Sequence, residues 1–251
     1  MVRTVLLKRQ SRLIGRSFQR EALIMLIYDV GMHNGADTDY YLKKGARVVS
    51  IEADPQLCEL ALSRFGEEVA QGRLTILNCA VSDQNGDVDF FVNDRNTSRS
   101  SLNGNSVPGH RRIRVKSRLL SDVFQEFGMP DFVKIDVEHY DHVVVRELRR
   151  AEALPAQLSV EAHNFDVIHE LLKTDYTRYR MVRGNTVARR FANHRINTGG
   201  GVLNYAFTLH SSGPFGEDLP APWFPAEAMV ANWLLRSSLH GDGWYDIHAA
   251  R

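Results

Sequence analysis

The 251-residue sequence predicts an open α/β fold, built on a mainly parallel sheet with helices on both faces. Three observations predict it. From Met25 onward, short apolar runs alternate with amphipathic segments, the pattern of βαβ units. The runs at 25–30, 47–52 and 132–137 have the length and apolarity of buried strands. The first of them opens into a glycine-bearing turn and the second ends on an acid, as strands at the ligand-binding edge of such a sheet do.

Taken in order, the strand at 25–30 is followed by a helix at 37–44 that Gly45 stops. After the strand at 47–52, Asp54-Pro55 supplies an N-cap with proline at the first helical position, and an amphipathic helix runs to about residue 69. A third strand occupies 73–78. Asn85-Gly86, between strand-like 79–82 and 87–92, predicts a small antiparallel hairpin insertion. The polar stretch 93–110 shows neither period and reads as a long mobile loop, a lid over a site. The rhythm resumes with a strand at 113–116, a helix at 120–127, a buried strand at 132–137 and a helix at 141–150. A strand at 158–162, a helix at 167–172 and a strand at 179–183 follow, and 202–209 is expected to close a sheet of six or seven strands.

Beyond residue 210, Gly213, Pro214, Gly216, Pro220, Pro222 and Pro225 make an irregular tail leading to one helix at 226–239. Burial of Trp223, Phe224, Trp233, Leu234 and Trp244 requires that tail to pack on the core, or to serve a homodimer interface. No internal repeat divides the chain. Three regions result: a basic N-terminal helix (1–24), the α/β domain (25–210) and a C-terminal extension (211–251).

Thirty-one Lys and Arg against 30 Asp and Glu leave a net charge of +1. That balance exerts no overall pull on nucleic acid, which is not an expected partner. Cys58 and Cys79 stand singly, without the spacing of a zinc site, as suits a reduced, cytoplasmic protein. No apolar run reaches the eighteen or so residues of a transmembrane helix. The first twenty residues carry Arg3, Lys8, Arg9, Arg12, Arg16 and Arg20 and no acid, interleaved with apolar residues. That pattern suits a transit peptide, a peripheral membrane helix or a contact for an anionic carrier, and equally an ordinary lead-in helix.

The turn Asp29-Val-Gly-Met-His-Asn-Gly35 bends from the first strand into a helix, and its glycines let a ligand approach the backbone. The spacing Gly31-x-x-x-Gly35 departs from the Gly-x-Gly-x-x-Gly of a tight pyrophosphate turn. This weakens a dinucleotide reading and leaves a plain βα turn as the bland alternative. Glu52 ends the second strand 21 residues past Gly31, where a carboxylate accepts ribose hydroxyl protons. Asp54 already serves as the helix cap, which leaves Glu52 for a ligand.

The run from Tyr28 to Pro55, together with Asn78-Cys-Ala-Val81, Asn96-Thr-Ser-Arg-Ser-Ser-Leu102, Lys134-Ile-Asp-Val-Glu138 and Ser159-Val-Glu-Ala162, resembles the FkbM family of methyltransferases. The resemblance covers roughly residues 25–164. It implies a Rossmann-like class I methyltransferase fold with a seven-stranded sheet, S-adenosylmethionine as cofactor and methylation of hydroxyl groups, often on sugars or polyketide products. It also implies that Asp29, Gly31, His33, Asn34 and Gly35 surround the methionine end, that Glu52, Ala53 and Asp54 serve the ribose, and that Asn78, Ala80 and Val81 border the adenine. The sequence departs from the family pattern at His33, where Asn is usual, and at His139, where Gly is usual.

Asp136, Glu138 and His139 end one strand and Glu161 and His163 end the next, so the two ends converge on one pocket. His139 and His163 are the natural proton acceptors, because imidazole takes a hydroxyl proton near neutral pH. The carboxylates also suit a divalent metal, but no motif fixes a complete ligand set and no metal is assigned. Ser98, Arg99, Ser100 and Ser101 on the lid offer polar groups to an acceptor, expected to be a sugar, glycolipid or related metabolite. Two other functions fit the same pattern less closely: a nicotinamide-dependent oxidoreductase, and a non-catalytic binding protein that keeps the fold.

Overall fold

The computed structural model describes residues 24–103, 110–239 and 244–251. The expected basic helix at 1–24 lies outside them, apart from its last residue. Among the described residues no helix is long and apolar enough to cross a membrane.

The described residues begin with β1 (Leu26–Val30), α1 (Ala36–Lys43), β2 (Arg47–Glu52), α2 (Pro55–Arg64), α3 (Gly66–Ala70) and β3 (Leu74–Asn78). The single helix expected to run to residue 69 is two, because Phe65 at φ −112°, ψ 25° leaves helical geometry and turns the axis. Next come β4 (Ala80–Val81), β5 (Gly86–Asn93), β6 (His110–Arg118), α4 (Leu120–Phe127), β7 (Phe132–Ile135), α5 (Asp141–Arg150), β8 (Gln157–Ala162) and α6 (Phe165–Leu171). The chain continues through β9 (Arg178–Arg183), α7 (Val187–Arg190), β10 (His194–Thr198), β11 (Gly201–Tyr205), α8 (Ala226–Leu239) and β12 (Tyr245–Ala250).

Among the described residues seven strands form the main sheet, in the order β3-β2-β1-β7-β8-β12-β9. All neighbours are parallel except β12, which runs antiparallel to both β8 and β9. Alternation along β1 shows how the two faces are built: Leu26, Tyr28 and Val30 pack against residues of α4, α5, α6 and α8. Ile27 instead faces Tyr40 and Tyr41 of α1, Ala61 of α2 and, beyond the sheet, Phe207 and Phe215. Both faces are covered, which is why these strands read as continuous apolar runs.

Two strand expectations are corrected. Residues 202–209 do not close the sheet: among the described residues β11 pairs only with β10, in a separate two-stranded unit. The seventh strand is β12, and it lies within the sheet rather than in an irregular tail. Its alternation was hidden because every one of its residues is buried, including Asp246 and His248. The Asn85-Gly86 hairpin is also absent. β4 and β5 both pair with β6, parallel and antiparallel respectively, so Asn85 and Gly86 lead into a three-stranded unit. Asn85 holds the unit in place, its Oδ1 accepting from Leu119 N at 3.0 Å and its Nδ2 donating to Asp122 Oδ2 at 2.7 Å.

The described part of 93–110 is pinned. Phe91 and Ser101 exchange backbone hydrogen bonds of 2.9 and 3.1 Å, and the Ser101 hydroxyl donates to the carbonyl of Glu138. That part therefore lies across the strand ends as a cover fixed at its base.

If β12 is a structural member of the sheet, Ile247→Ala, at a fully buried site, lowers unfolding free energy by about 2–5 kcal/mol. Val202→Ala on exposed β11 changes it by less than about 0.5 kcal/mol. Equal losses in denaturant titrations of the two variants would contradict this topology.

Candidate active site

The strand order reverses between β1 and β7, and crevices at such switch points take ligands beyond the carboxyl ends of the strands. Here the chain brings two backbones unusually close. A Cβ on Gly31 would fall 1.7 Å from the carbonyl oxygen of Asp136, and Gly31 adopts φ 79°, so only glycine fits. The amides of Gly31 and Met32 both donate to the carbonyl of Ile51 at 3.0 Å, drawing the turn over β2. At Gly35, φ 74°, an added Cβ would meet the Phe65 ring at 2.7 Å; the kink between α2 and α3 thus supports the turn from below.

A cavity of about 1020 Å³ opens at these strand ends. Of the residues expected around the cofactor, Gly31, His33, Glu52, Ala53, Ala80 and Val81 line it. Asp29, Asn34, Gly35, Asp54 and Asn78 stand behind the wall. Asn78 donates to the carbonyls of Glu52 and Ala53 at 3.0 and 3.2 Å, and Asp54 caps α2 by accepting from Gln56 N at 2.9 Å. Asn34 accepts from Ala36 N at 3.0 Å at the start of α1. Asp29 is fully buried and accepts from the Thr38 hydroxyl at 2.6 Å.

Glu52 is not bare. Its Oε2 accepts from His33 N at 2.8 Å and its Oε1 from Asp54 N at 2.9 Å. A carboxylate has about four acceptor sites, so two remain for hydroxyl donors. Burial outweighs these amides and pushes the carboxyl up to about 7. Burial likewise brings the His33 imidazole down to about 4, with His210 adding to the effect. That ring meets the cover through Nε2, 2.8 Å from Thr97 Oγ1.

All five residues expected in the chemistry, Asp136, Glu138, His139, Glu161 and His163, face this cavity, as do Ser98, Arg99, Ser100 and Ser101 of the cover. His163 Nε2 lies 2.9 Å from Glu161 Oε2 and 3.7 Å from Glu138 Oε2, and the rings of His139 and His163 are 4.5 Å apart. Burial, reinforced by the Asp136 and Asp141 carboxylates, pushes Glu138 up to about 9. Burial with Asp136 and Glu138 drives Glu161 well above the usual carboxylate range. Burial, helped by His139, lowers His163 to about 4, so at neutral pH its contact with Glu161 joins a neutral imidazole to a carboxyl.

Several lining residues escaped the sequence reading: Lys134, His210, Ser211 and Trp244 among them. Lys134 lies in the run Lys134-Ile-Asp-Val-Glu138, where the sequence alone marks no role for it. Its buried ammonium donates to the carbonyl of Gly31 at 2.8 Å and lies 3.4 Å from Asp29 Oδ1, 3.3 Å from Asp136 Oδ2 and 3.8 Å from Asp37 Oδ2. Burial opposes its charge, but the three carboxylates more than offset that and hold it protonated. Asp136 is affected in the opposite sense: burial works against ionisation, Lys134 overrides it, and its carboxyl stays below the usual range. His210 and Ser211 come from the segment after β11, and Trp244 precedes β12, where no pattern in the sequence pointed to this pocket.

A family model described as the methyltransferase FkbM domain matches residues 29–181, more than half of the chain. Among curated proteins, a probable ribosomal RNA small subunit methyltransferase A of Methanospirillum hungatei is 40% identical over 52 residues. That match spans 21% of this chain and only 20% of the relative's length. Among solved structures, precorrin-6Y C5,15-methyltransferase of Geobacter metallireducens aligns at 11% identity and a TM-score of 0.42, over 90% of this chain and 79% of that one. A SAM-dependent O-methyltransferase of Thermotoga maritima aligns at 11% identity and the same TM-score of 0.42, over 90% and 59% of the two chains. The chain belongs to the FkbM methyltransferase family, whose cofactor is S-adenosylmethionine.

Proposed function

We propose that the protein transfers a methyl group to a hydroxyl of a polyhydroxylated acceptor, a sugar, glycolipid or related metabolite. One observation carries this reading: a single cavity joins the glycine turn and Glu52 on one side to a cluster of imidazoles and carboxyls on the other. S-adenosylmethionine supplies an electrophilic methyl group when bound. The chain's own task is then to align the acceptor oxygen and receive its proton. Glu52 offers two acceptor sites to ribose hydroxyls. Asp136, Glu138 and Glu161 offer carboxyl oxygens to the acceptor's hydroxyls, and His139, exposed at the cavity edge, is placed to take the transferred proton. Ser98 and Arg99 cover the opening and keep water away from the reacting groups. The nicotinamide alternative gains nothing from the structure, since the Gly31-x-x-x-Gly35 turn presses its backbone on Asp136 instead of opening a phosphate loop.

The cofactor half is tested by calorimetry with S-adenosylhomocysteine. Glu52→Ala removes charged hydrogen bonds worth about 1.5–3 kcal/mol, so affinity falls roughly 10- to 100-fold. A carboxyl at about 7 must lose its proton to accept from both ribose hydroxyls. Wild-type affinity therefore rises from pH 6 to pH 8 and levels off above, while Glu52→Gln shows no such rise. A flat wild-type profile would remove Glu52 from the ribose site.

The transfer half is tested with a panel of hydroxylated acceptors and labelled cofactor. His139→Ala lowers kcat by about 10²–10⁴ with S-adenosylhomocysteine affinity unchanged. Cofactor binding by the wild type with no labelled product from any acceptor would instead favour a binding protein that retains the fold.

A further inference from the structure

We propose that Glu138, Glu161 and His163, with Asp136 beside them, hold a divalent cation on the acceptor side of the cavity. The donors converge from two adjacent strands. Ligand atoms of Asp136, Glu138 and Glu161 all lie within 4.8 Å of one another, and so do those of Glu138, His139 and His163. From His163 Nε2, the 2.9 Å to Glu161 Oε2 matches an edge of a coordination shell, and the 3.7 Å to Glu138 Oε2 lies between an edge and a diagonal. An octahedron with bonds of about 2.1 Å places neighbouring donors about 3.0 Å apart and opposite ones about 4.2 Å apart.

A second, independent feature points to a missing partner. Glu161 is 4% exposed, and its Oε2 makes no hydrogen bond in spite of its closeness to the His163 ring. A buried carboxyl oxygen left without a donor is unfavourable, and a bound cation would complete it. The protein's own cations do not. Lys134 is shared among Asp29, Asp37, Asp136 and the Gly31 carbonyl, and among the described residues neither Glu138 nor Glu161 forms an ion pair with Lys or Arg. The mixture of one imidazole with carboxylates suits manganese or a neighbouring first-row ion better than zinc in a thiolate site.

The backbone fixes this presentation. Glu138 and His139 follow β7 with φ 47° and 67°, and the Ser101 hydroxyl holds the Glu138 carbonyl from the cover. His163 belongs to the cation, which leaves His139 as the proton acceptor. The remaining coordination positions face the cavity and suit a pair of adjacent hydroxyl oxygens on the acceptor. This last role rests on the O-methylation reading; the cation site itself does not.

The test uses Mn²⁺ alone as probe, on chelator-treated protein with S-adenosylhomocysteine present, followed by electron paramagnetic resonance. One Mn²⁺ per chain is expected, with nitrogen coupling from an imidazole. Glu161→Gln and Glu138→Gln each weaken Mn²⁺ binding at least about tenfold, and His163→Ala also abolishes the nitrogen coupling. His139→Ala keeps both, and none of the four changes S-adenosylhomocysteine affinity, which shows that the variants are folded. No Mn²⁺ bound, or binding indifferent to all three ligand substitutions, overturns the proposal and leaves the methyltransferase reading intact. Mn²⁺ bound without any affinity for S-adenosylhomocysteine sinks the cofactor reading instead, and the cation site stands.

Discussion

The ammonium of Lys134 is the point on which this site is hung. One buried cation reaches the carbonyl of Gly31, Asp29 at the end of β1, Asp37 in the first turn of α1 and Asp136 just past β7. Asp29 and Asp37 are desolvated and Asp136 partly so, and a desolvated charge without a partner destabilises by several kcal/mol. Lys134 therefore does more than neutralise. It sets the separation between the glycine turn and the strand that carries Asp136, and so the distance from the cofactor side of the cavity to the acceptor side. Asp37 extends the same network outward, accepting from the Ser211 hydroxyl at 2.5 Å and from Ser212 N at 3.0 Å. The segment after β11 is thereby tied to the cavity rim.

The sheet supplies the frame in which that network works. β1 and β7 lie side by side at its centre, both fully buried, so their ends keep their spacing. Beyond β8 the frame is completed from far along the chain. β12 inserts between β8 and β9, pairing residues 245–250 with 157–162 on one side and 178–183 on the other. Trp244 is carried to the cavity by this insertion, and Gly184 makes room for it: a Cβ there would lie 1.9 Å from the indole nitrogen. Pairings of such long sequence separation are slow to form, because loop closure precedes any gain from contact.

Local chemistry explains what the sequence revealed. The βα alternation, the cap at Asp54-Pro55, the turn at Gly31 and the two polar strand ends are written in residues close to one another, and the structure contains each of them. What stayed hidden depends on distant partners. β12 is buried on both faces between two strands, so its polar residues Asp246 and His248 broke the expected apolar run. Asn85-Gly86 has the chemistry of a tight hairpin, but β6 offers β5 eight residue pairings and competes successfully for it. Lys134, a charge in a buried strand, made sense only once three acids from separate elements surrounded it. Asn78 and Asp54 also hold in place the residues that form the wall.

The cover over the cavity is fastened unevenly. Its base is joined by the paired backbone bonds of Phe91 and Ser101, whereas its Thr97–Arg99 tip meets the far wall through the Thr97 hydroxyl, 2.8 Å from His33 Nε2. One such bond contributes about 1 kcal/mol, roughly a fivefold bias between latched and unlatched tip. Release of the latch is thus a frequent thermal event around a fixed hinge, and a ligand of modest size can exchange through the tip without disturbing the strands beneath.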